Sequence, residues 1–189
     1  MKQVVVGSQN PDKIAEMEVL LGVLGFDIVR GLTWDEIEET EDTLEGNALL
    51  KAQAVATATG LVAIADDTGL EVGALGGAPG VMTARYAGED ATYDDNVDAL
   101  LLALEGVINR TARFRTAVAM VGPDKEDVVV SGSVDGSITT QRRGQGGFGY
   151  DPIFEVDGET FAEMGVDEKH KISHRGRALR ALVEVLSAR

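Results

Sequence analysis

The chain has 189 residues, of which 44% are hydrophobic and 26% are charged, a composition typical of a folded globular protein. Its formal net charge of −15 excludes long-range attraction to nucleic acid polymers, so a site for a phosphate-bearing ligand must be a local cluster of donors. Cysteine is absent, which excludes disulfides. No apolar run approaches the roughly 20 residues of a membrane span, and the start of the chain shows no signal-peptide pattern, so we expect no membrane partner and a cytoplasmic location.

Apolar residues in the first half of the chain alternate between strand-like runs and helical spacing. The pattern predicts strands at 3–6, 26–29 and 61–65. It also predicts helices that end before Gly25, run from Thr43 to about Thr59, and run from Thr92 or Asp94 to Leu104.

The second half changes character, because residues 113–121 and 127–134 alternate polar and apolar side chains around the turn Gly122-Pro123-Asp124. This pattern predicts a β-hairpin. A short strand at 153–156 and a last helix capped by Ser173 follow. Helix–strand alternation and then a hairpin predict an α/β fold with a mixed sheet, in a single domain over residues 1–189.

The segment Ile64-Ala65-Asp66-Asp67-Thr68-Gly69-Leu70 places two adjacent carboxylates at the end of a short apolar run. Burying two negative charges is costly unless cations or donors meet them. A divalent metal with oxygen ligands, carrying a phosphate-rich substrate, would meet them, and Mg²⁺ is the expected ion. An ordinary turn explains the same residue types.

Residues 7–13, Gly-Ser-Gln-Asn-Pro-Asp-Lys, join the first strand to the first helix. Such a turn directs backbone N–H groups toward a bound phosphate, and Ser8, Asn10 and Lys13 add side-chain donors. The alternative is that Ser8, Asn10 or Asp12 only caps the helix. The pattern is not a Walker A loop, since G-x-x-x-x-G-K-[ST] does not occur in the chain.

Glu38 and Glu39 precede a predicted helix on which Asn47 and Lys51 share one face, because they are four residues apart. One carboxylate here and Asp67 can hold Mg²⁺ between them. The alternative is a solvated acidic loop.

Residues 144–152 contain G-x-G-x-x-G, yet Pro152 and a strand follow where a dinucleotide-binding loop requires a helix. A glycine loop that exposes Phe148 and Tyr150 is better suited to stacking an aromatic base. The alternative is a turn with two core aromatics.

Residues 169–177 are rich in donors and contain both histidines of the chain, His170 and His174. We expect a ligand clamp at a helix N-terminus rather than a zinc pair, since Ser173 separates the two rings from a common helix face. The alternative is a solvated basic patch.

Five segments, in this order, resemble the noncanonical purine nucleoside triphosphate pyrophosphatases, the family of dITP/XTP or inosine triphosphate pyrophosphatases. They are GSQNPDK, EETEDTLEGNALLKA, AIADDTGLEVGALGGAPGVMTARYAGEDAT, GGFGYDPIF and ISHRGRAL, and the resemblance covers nearly the whole chain. It implies an elongated mixed β-sheet flanked by helices, two lobes with a substrate cleft between them, and a homodimer. It implies Mg²⁺-dependent hydrolysis of ITP, dITP and XTP to the monophosphate and pyrophosphate, which cleanses the nucleotide pool.

The resemblance also implies roles for individual residues. The triphosphate would be bound by Ser8, Gln9, Asn10, Pro11, Asp12 and Lys13, with help from Lys51 and Thr68. Glu39 and Asp67 would hold Mg²⁺, and Asp67 would also accept the proton of the attacking water; Glu38 is the alternative to Glu39. The base would be bordered by Phe148, Gly149, Tyr150 and Asp151, and closed over by Lys169, His174 and Arg175.

Two alternatives are a nucleotide sensor that has lost turnover and a pyrophosphatase that acts on modified pyrimidine nucleotides. A sensor has no need for the full carboxylate set of Glu39, Asp66 and Asp67, which favours the enzyme. A panel of triphosphates distinguishes purine from pyrimidine substrates.

Overall fold

The computed structural model describes residues 2–123 and 125–188. The described residues form eight strands and five α-helices, which confirms the predicted α/β class. The strands are β1 (Lys2–Val6), β2 (Phe26–Ile28), β3 (Ala63–Val72), β4 (Pro79–Gly80), β5 (Thr111–Gly122), β6 (Lys125–Ile138), β7 (Phe154–Val156) and β8 (Glu159–Thr160). The helices are α1 (Pro11–Val23), α2 (Leu44–Thr59), α3 (Tyr93–Ala103), α4 (Val166–Ile172) and α5 (His174–Ser187).

The sheet is mixed, with the strand order β2-β1-β3-β5-β6-β7-β8 and with β4 paired to β3 beside this path. Strand β1 is parallel to both β2 and β3, and helices α1 and α2 supply the crossovers that parallel strands need. The pairs β3–β4, β6–β7 and β7–β8 are antiparallel. Val5 and Val6, at the carboxyl end of β1, pair with Ala63 and Ile64 at the start of β3, so the turn that follows β1 leaves the sheet beside the part of β3 that leads to Asp66 and Asp67.

The chain divides into two compact units whose boundaries fall inside β3, β5 and β6. The first unit comprises Met1–Asp67, Thr116–Gly132 and His174–Arg189, and the second comprises Thr68–Arg115 and Ser133–Ser173, as far as these ranges are described. The single domain over 1–189 and the substrate cleft stay predictions.

Each unit has its own apolar core. In the first unit, α1 and α5 pack on β3 and β5 through buried residues that include Met17, Leu21, Ile64, Val118, Leu179 and Leu182. In the second unit, α3 packs on three aromatic rings, and the core includes Val97, Leu100, Phe114, Phe154 and Phe161. The buried apolar residues of α1, α3 and α5 recur at helical spacing, so each of these helices turns one face to a core.

Most predicted helix ends are confirmed. The Thr43 side chain caps α2, and Gly60 ends it with a left-handed φ of 68°. Thr92 caps α3 in a capping box with Asp95. Asp124, part of the predicted hairpin turn, lies outside the described residues.

The prediction that the third strand ends at the aspartate pair is wrong, because β3 continues to Val72. Three further elements, β4, β8 and α4, were not expected from the sequence. Within the described ranges, none of the helices combines the length and the apolar character that a membrane crossing requires.

Candidate active site

Asp66 and Asp67 are both buried in β3, with 1% and 4% of their surfaces exposed. Successive side chains of a strand point to opposite faces, and the two carboxylates accordingly meet different partners. The partners of Asp67 come from α2, and those of Asp66 come from α1 and α5. The two adjacent carboxylates thus have different direct partners within the first unit, although the charges of Lys13 and Lys51 act on both.

The Asp67 carboxylate is held by two buried residues of α2. Asn47 donates from Nδ2 to Asp67 Oδ2 at 3.2 Å, and its Oδ1 accepts from the Glu41 backbone N–H at 3.0 Å. Lys51 Nζ lies 3.7 Å from Asp67 Oδ1 and also donates to Glu39 Oε1. Asn47 and Lys51 share a helix face, as their spacing predicted, and this face brings the carboxylates of Glu39 and Asp67 to one cation.

The electrostatics at Asp67 differ from those of an ordinary surface carboxylate. Burial raises the pKa of Asp67 above its usual value, and Lys51 and Lys13 offset this only in part. Burial would lower the pKa of Lys51, but the carboxylates of Asp67 and Glu39 outweigh it, so the pKa is raised and the ammonium is kept charged. Asp67 is therefore a carboxylate with an enhanced affinity for a proton beside a permanent cation.

Asp66 lies in a buried ion-pair cluster with Arg175 and Glu16. Arg175, with 2% of its surface exposed, donates to Asp66 Oδ2 from Nε at 3.1 Å and from Nη2 at 3.0 Å, and from Nη1 to Glu16 Oε2. Lys13 Nζ lies 3.9 Å from the same Asp66 oxygen. Burial alone would raise the pKa of Asp66, but Lys13, Arg175 and Lys51 hold it well below its usual range. Asp66 is therefore a fixed negative charge.

The turn at residues 7–13 has the capping role considered from the sequence. Asn10 caps α1, because its side chain accepts from the N–H groups of Asp12 at 3.0 Å and Lys13 at 3.1 Å. Ser8 Oγ accepts from the Asn10 N–H at 3.2 Å, and Gln9 donates to the Trp34 carbonyl at 3.4 Å. The turn thus brings Lys13 to Asp66; phosphate binding by this turn, with Pro11 and Asp12, stays a prediction.

The second unit contains a separate cluster around the buried carboxylate of Asp151. Its Oδ2 accepts from Lys169 Nζ at 2.6 Å and from the Phe148 backbone N–H at 2.9 Å. Lys169 Nζ also lies 5.2 Å from the centroid of the Phe148 ring, within cation–π range. A Cβ at Gly147, whose φ is 70°, would come within 1.9 Å of Asp151 Oδ2, so only glycine allows this loop to close on the carboxylate.

The two aromatics of this loop have different surroundings. Phe148 is half-buried, and its ring centroid lies 5.9 Å from that of Tyr93. Tyr150 is 4% exposed, and its hydroxyl donates to the Thr83 carbonyl at 3.0 Å. The expectation that the loop exposes both rings is therefore wrong for Tyr150, which belongs to the core, whereas Phe148 and Gly149 are half-buried.

The two histidines lie on different helices, because α4 ends at Ile172 and α5 begins at His174. This is the separation expected from Ser173. His174 is buried, and its Nδ1 lies 2.6 Å from the Thr116 hydroxyl oxygen of β5.

Three side chains of these clusters could be placed only by the structure. Glu16 lies in an amphipathic helix pattern, where a charged residue is expected to be exposed to solvent. Thr116 lies inside a strand of alternating residues, and Tyr93 lies at the start of a predicted helix.

Of the residues named from the sequence, the structure brings Glu39, Lys51 and Asp67 together, and it joins Lys13 and Arg175 through Asp66. It separately joins Phe148, Asp151 and Lys169. Thr68 follows Asp67 directly in β3.

A metal ion would find oxygen donors at Glu39 and Asp67. These two carboxylates already share one cation, the Lys51 ammonium, and Glu39, unlike the exposed Glu38, is the one of the pair that contacts it. In the part of the chain that the structure describes, no cluster of three or more His, Cys, Asp or Glu side chains forms a ready metal cage. Mg²⁺ commonly binds through one or two carboxylates plus substrate phosphates and waters, so the two-carboxylate set fits this ion.

Comparison with known proteins identifies the family of the chain. The model of the Ham1 family matches residues 4–185. A dITP/XTP pyrophosphatase of Bacillus subtilis (strain 168) is 46% identical over 196 residues, covering 100% of this chain and 98% of that protein. One from Chlorobaculum tepidum is 49% identical and covers 93% of this chain and 88% of that protein.

Solved structures give the same result. The structure of a HAM1 protein from Coxiella burnetii superposes with a TM-score of 0.87 at 41% identity, covering 100% of both chains. The Staphylococcus aureus Ham1 protein superposes with a TM-score of 0.86 at 39% identity, covering 99% of both. The chain therefore belongs to the Ham1 family, and its resemblance to dITP/XTP pyrophosphatases is confirmed.

Proposed function

We propose that this protein hydrolyses noncanonical purine nucleoside triphosphates, namely dITP, XTP and ITP, to the monophosphate and pyrophosphate with the help of Mg²⁺. The observation that carries the proposal is the set of half-buried Glu39 and buried Lys51 and Asp67, in which two carboxylates share one cation. The names of the relatives from B. subtilis and C. tepidum support the substrate class.

Glu39 and Asp67 are the residues that would hold the metal ion. Bound Mg²⁺ would neutralise charge on the phosphate oxygens and so make the phosphorus more open to attack by water. The protein's net charge of −15 would otherwise repel a free triphosphate, which makes local neutralisation by Lys13, Lys51 and the metal necessary.

We assign the general base to Asp67. A carboxylate whose pKa is raised toward the working pH accepts a proton from water more effectively than an ordinary surface carboxylate, and burial raises the pKa of Asp67. Asn47 fixes one carboxylate oxygen by its 3.2 Å hydrogen bond, which leaves the other on the side of Lys51. The ammonium groups of Lys13 and Lys51 would donate to phosphate oxygens as negative charge develops there.

We assign base recognition to the Asp151 cluster of the second unit, and a contact from His174 to the base stays a prediction. Hypoxanthine and xanthine carry an acceptor oxygen at position 6, whereas adenine carries an amino donor there. Lys169 supplies a donor beside the half-buried ring of Phe148, on which a base can stack. A direct contact from Arg175 to the base stays a prediction, because in this structure its guanidinium donates to Asp66 and Glu16.

We further propose that Mg²⁺ is the working ion, that the protein is a homodimer in the cytoplasm, and that it removes deaminated purines from the nucleotide pool. Light scattering during size-exclusion chromatography measures the oligomeric state directly.

The test is a panel of triphosphates, assayed for pyrophosphate with Mg²⁺ and with EDTA. We expect dITP, XTP and ITP to be hydrolysed with Mg²⁺ and to persist with EDTA, and dATP, dCTP and dTTP to react far more slowly. Preference for a modified pyrimidine triphosphate, or tight binding of XTP without turnover, would refute the proposal in favour of one of the two alternatives.

A further inference from the structure

The contact between Thr116 and His174 has no part in the chemistry assigned so far. Thr116 is fully buried in β5, and His174 is 4% exposed at the first position of α5. The Thr116 hydroxyl oxygen and the His174 Nδ1 are 2.6 Å apart. A buried polar pair at this distance is a hydrogen bond, and its direction decides which ring nitrogen of His174 carries the proton.

Two directions are chemically possible for a neutral imidazole. If the hydroxyl donates to Nδ1, the ring proton lies on Nε2 and makes that atom a donor. If Nδ1–H donates to the hydroxyl oxygen, Nε2 becomes an acceptor. The 2.6 Å separation lies below the range of about 2.7–3.2 Å typical of N–H···O bonds, and the range of about 2.5–3.0 Å for O–H···O bonds shows that hydroxyl donors make the shorter contacts. The distance therefore favours the hydroxyl as donor.

We propose that Thr116 is a positioning residue for base recognition: its hydroxyl donates to Nδ1 of His174 and holds the ring proton on Nε2, which then donates to the 6-oxo group of a deaminated purine. The proposal rests on the function proposed above for its substrate, whereas the hydrogen bond itself does not. An adenine amino group in the same place would face Nε2–H as a second donor and leave both groups unpaired.

The tautomer is measurable without changing Thr116 or His174, because the chain contains only two histidines. In protein labelled with ¹⁵N-histidine, the long-range ¹H–¹⁵N spectrum distinguishes the Nε2–H tautomer, the Nδ1–H tautomer and the imidazolium ion. A His170→Gln variant assigns the two rings. We expect His174 as the Nε2–H tautomer; an Nδ1–H tautomer or an imidazolium in the wild-type protein would overturn the proposal.

Two variants then separate a positioning role from a structural one. Thr116→Val removes the hydroxyl at nearly constant volume, and Thr116→Ser keeps it. We expect Thr116→Val to mix the two His174 tautomers and to lower kcat/KM for XTP and dITP about tenfold, equivalent to about 1.4 kcal/mol. The loss should fall mainly on KM, as for a contact made equally before and during the reaction. Hydrolysis of dATP should hardly change, and Thr116→Ser should restore both the spectrum and the KM.

Equal losses for XTP and dATP in both variants would reduce Thr116 to a packing residue and overturn the proposal. A wild-type protein that hydrolyses none of the deaminated purine triphosphates would refute the proposed function and the base-reading step, while the spectrum would still decide the direction of the hydrogen bond.

Discussion

Arg175→Met should destabilise the first unit severely, because Arg175 is the buried cation between Asp66 and Glu16. Methionine keeps most of the side-chain length but removes the charge and the donors. Arg175 is 2% exposed, and Asp66 and Glu16 are 1% and 8% exposed, so water cannot replace the lost hydrogen bonds. Removing one partner of a buried ion pair costs about 3–5 kcal/mol. For a protein of this size each kcal/mol lowers the melting temperature by roughly 2–4 °C, so we expect a fall of roughly 6–20 °C.

The assay is thermal unfolding at neutral pH, with Arg177→Met as the matched control, because Arg177 is two residues away on α5 and exposed. Adding Glu16→Gln to Arg175→Met should restore part of the lost stability by removing one uncompensated carboxylate. An Arg175→Met protein that melts with the Arg177→Met control would refute the assignment of Arg175 as the compensating charge.

The pH dependence follows from the lowered pKa of Asp66. A carboxyl group whose folded-state pKa is depressed stabilises the protein above its unfolded pKa, and this contribution is lost as the pH falls through the folded value. Without Arg175, Asp66 should protonate at a higher pH in the folded state. The stability difference between wild type and Arg175→Met should therefore shrink as the pH is lowered from neutral; a difference that grew would contradict the charge argument.

Three further predictions concern the two candidate clusters. Asp67→Asn should lower kcat about 100-fold or more, since it removes a base and a metal ligand together. The melting temperature should not fall, because burial disfavours the charge of Asp67. Near-normal turnover of the variant with Mg²⁺ would refute the assignment of Asp67. Gly147→Ala should destabilise the second unit and weaken the preference for XTP over dATP, because the new Cβ would meet Asp151 Oδ2 at 1.9 Å. Melting curves measure the stability and the substrate panel measures the preference. An unchanged preference would argue against a role of Asp151 in base recognition. Mg²⁺ with a slowly hydrolysed dITP analogue should raise the melting temperature more than the analogue with EDTA, by mass action; equal shifts would contradict a metal bridge through Glu39.

Local signals explain why much of the fold could be predicted from the sequence. Thr43 and Gly60 mark the ends of α2 by cap chemistry that needs no tertiary information, and both were placed correctly. The end of the strand carrying Asp66 and Asp67 was predicted too early, because polar residues normally stop a buried strand. Here the cations Lys13, Lys51 and Arg175, from three helices, compensate the two carboxylates and allow the strand to continue.

The candidate site was predictable only in part. The spacing of Asn47 and Lys51 placed both on one helix face, and the structure confirms their convergence on Asp67. Glu16 pairs with Arg175 across 159 positions of the chain, and no local pattern marks such a contact. Tyr150 looked like an exposed ring because glycines surround it, yet its hydroxyl finds a buried carbonyl partner.

The most direct test of the proposed function is identification of the products formed from dITP. The purified protein is incubated with dITP and Mg²⁺, and the products are resolved by anion-exchange chromatography beside a reaction of Asp67→Asn. Hydrolysis as proposed gives dIMP and pyrophosphate in equal amounts, with little product from the variant and little from dATP under the same conditions. Release of dIDP and inorganic phosphate, or equal turnover of dITP and dATP, would contradict it.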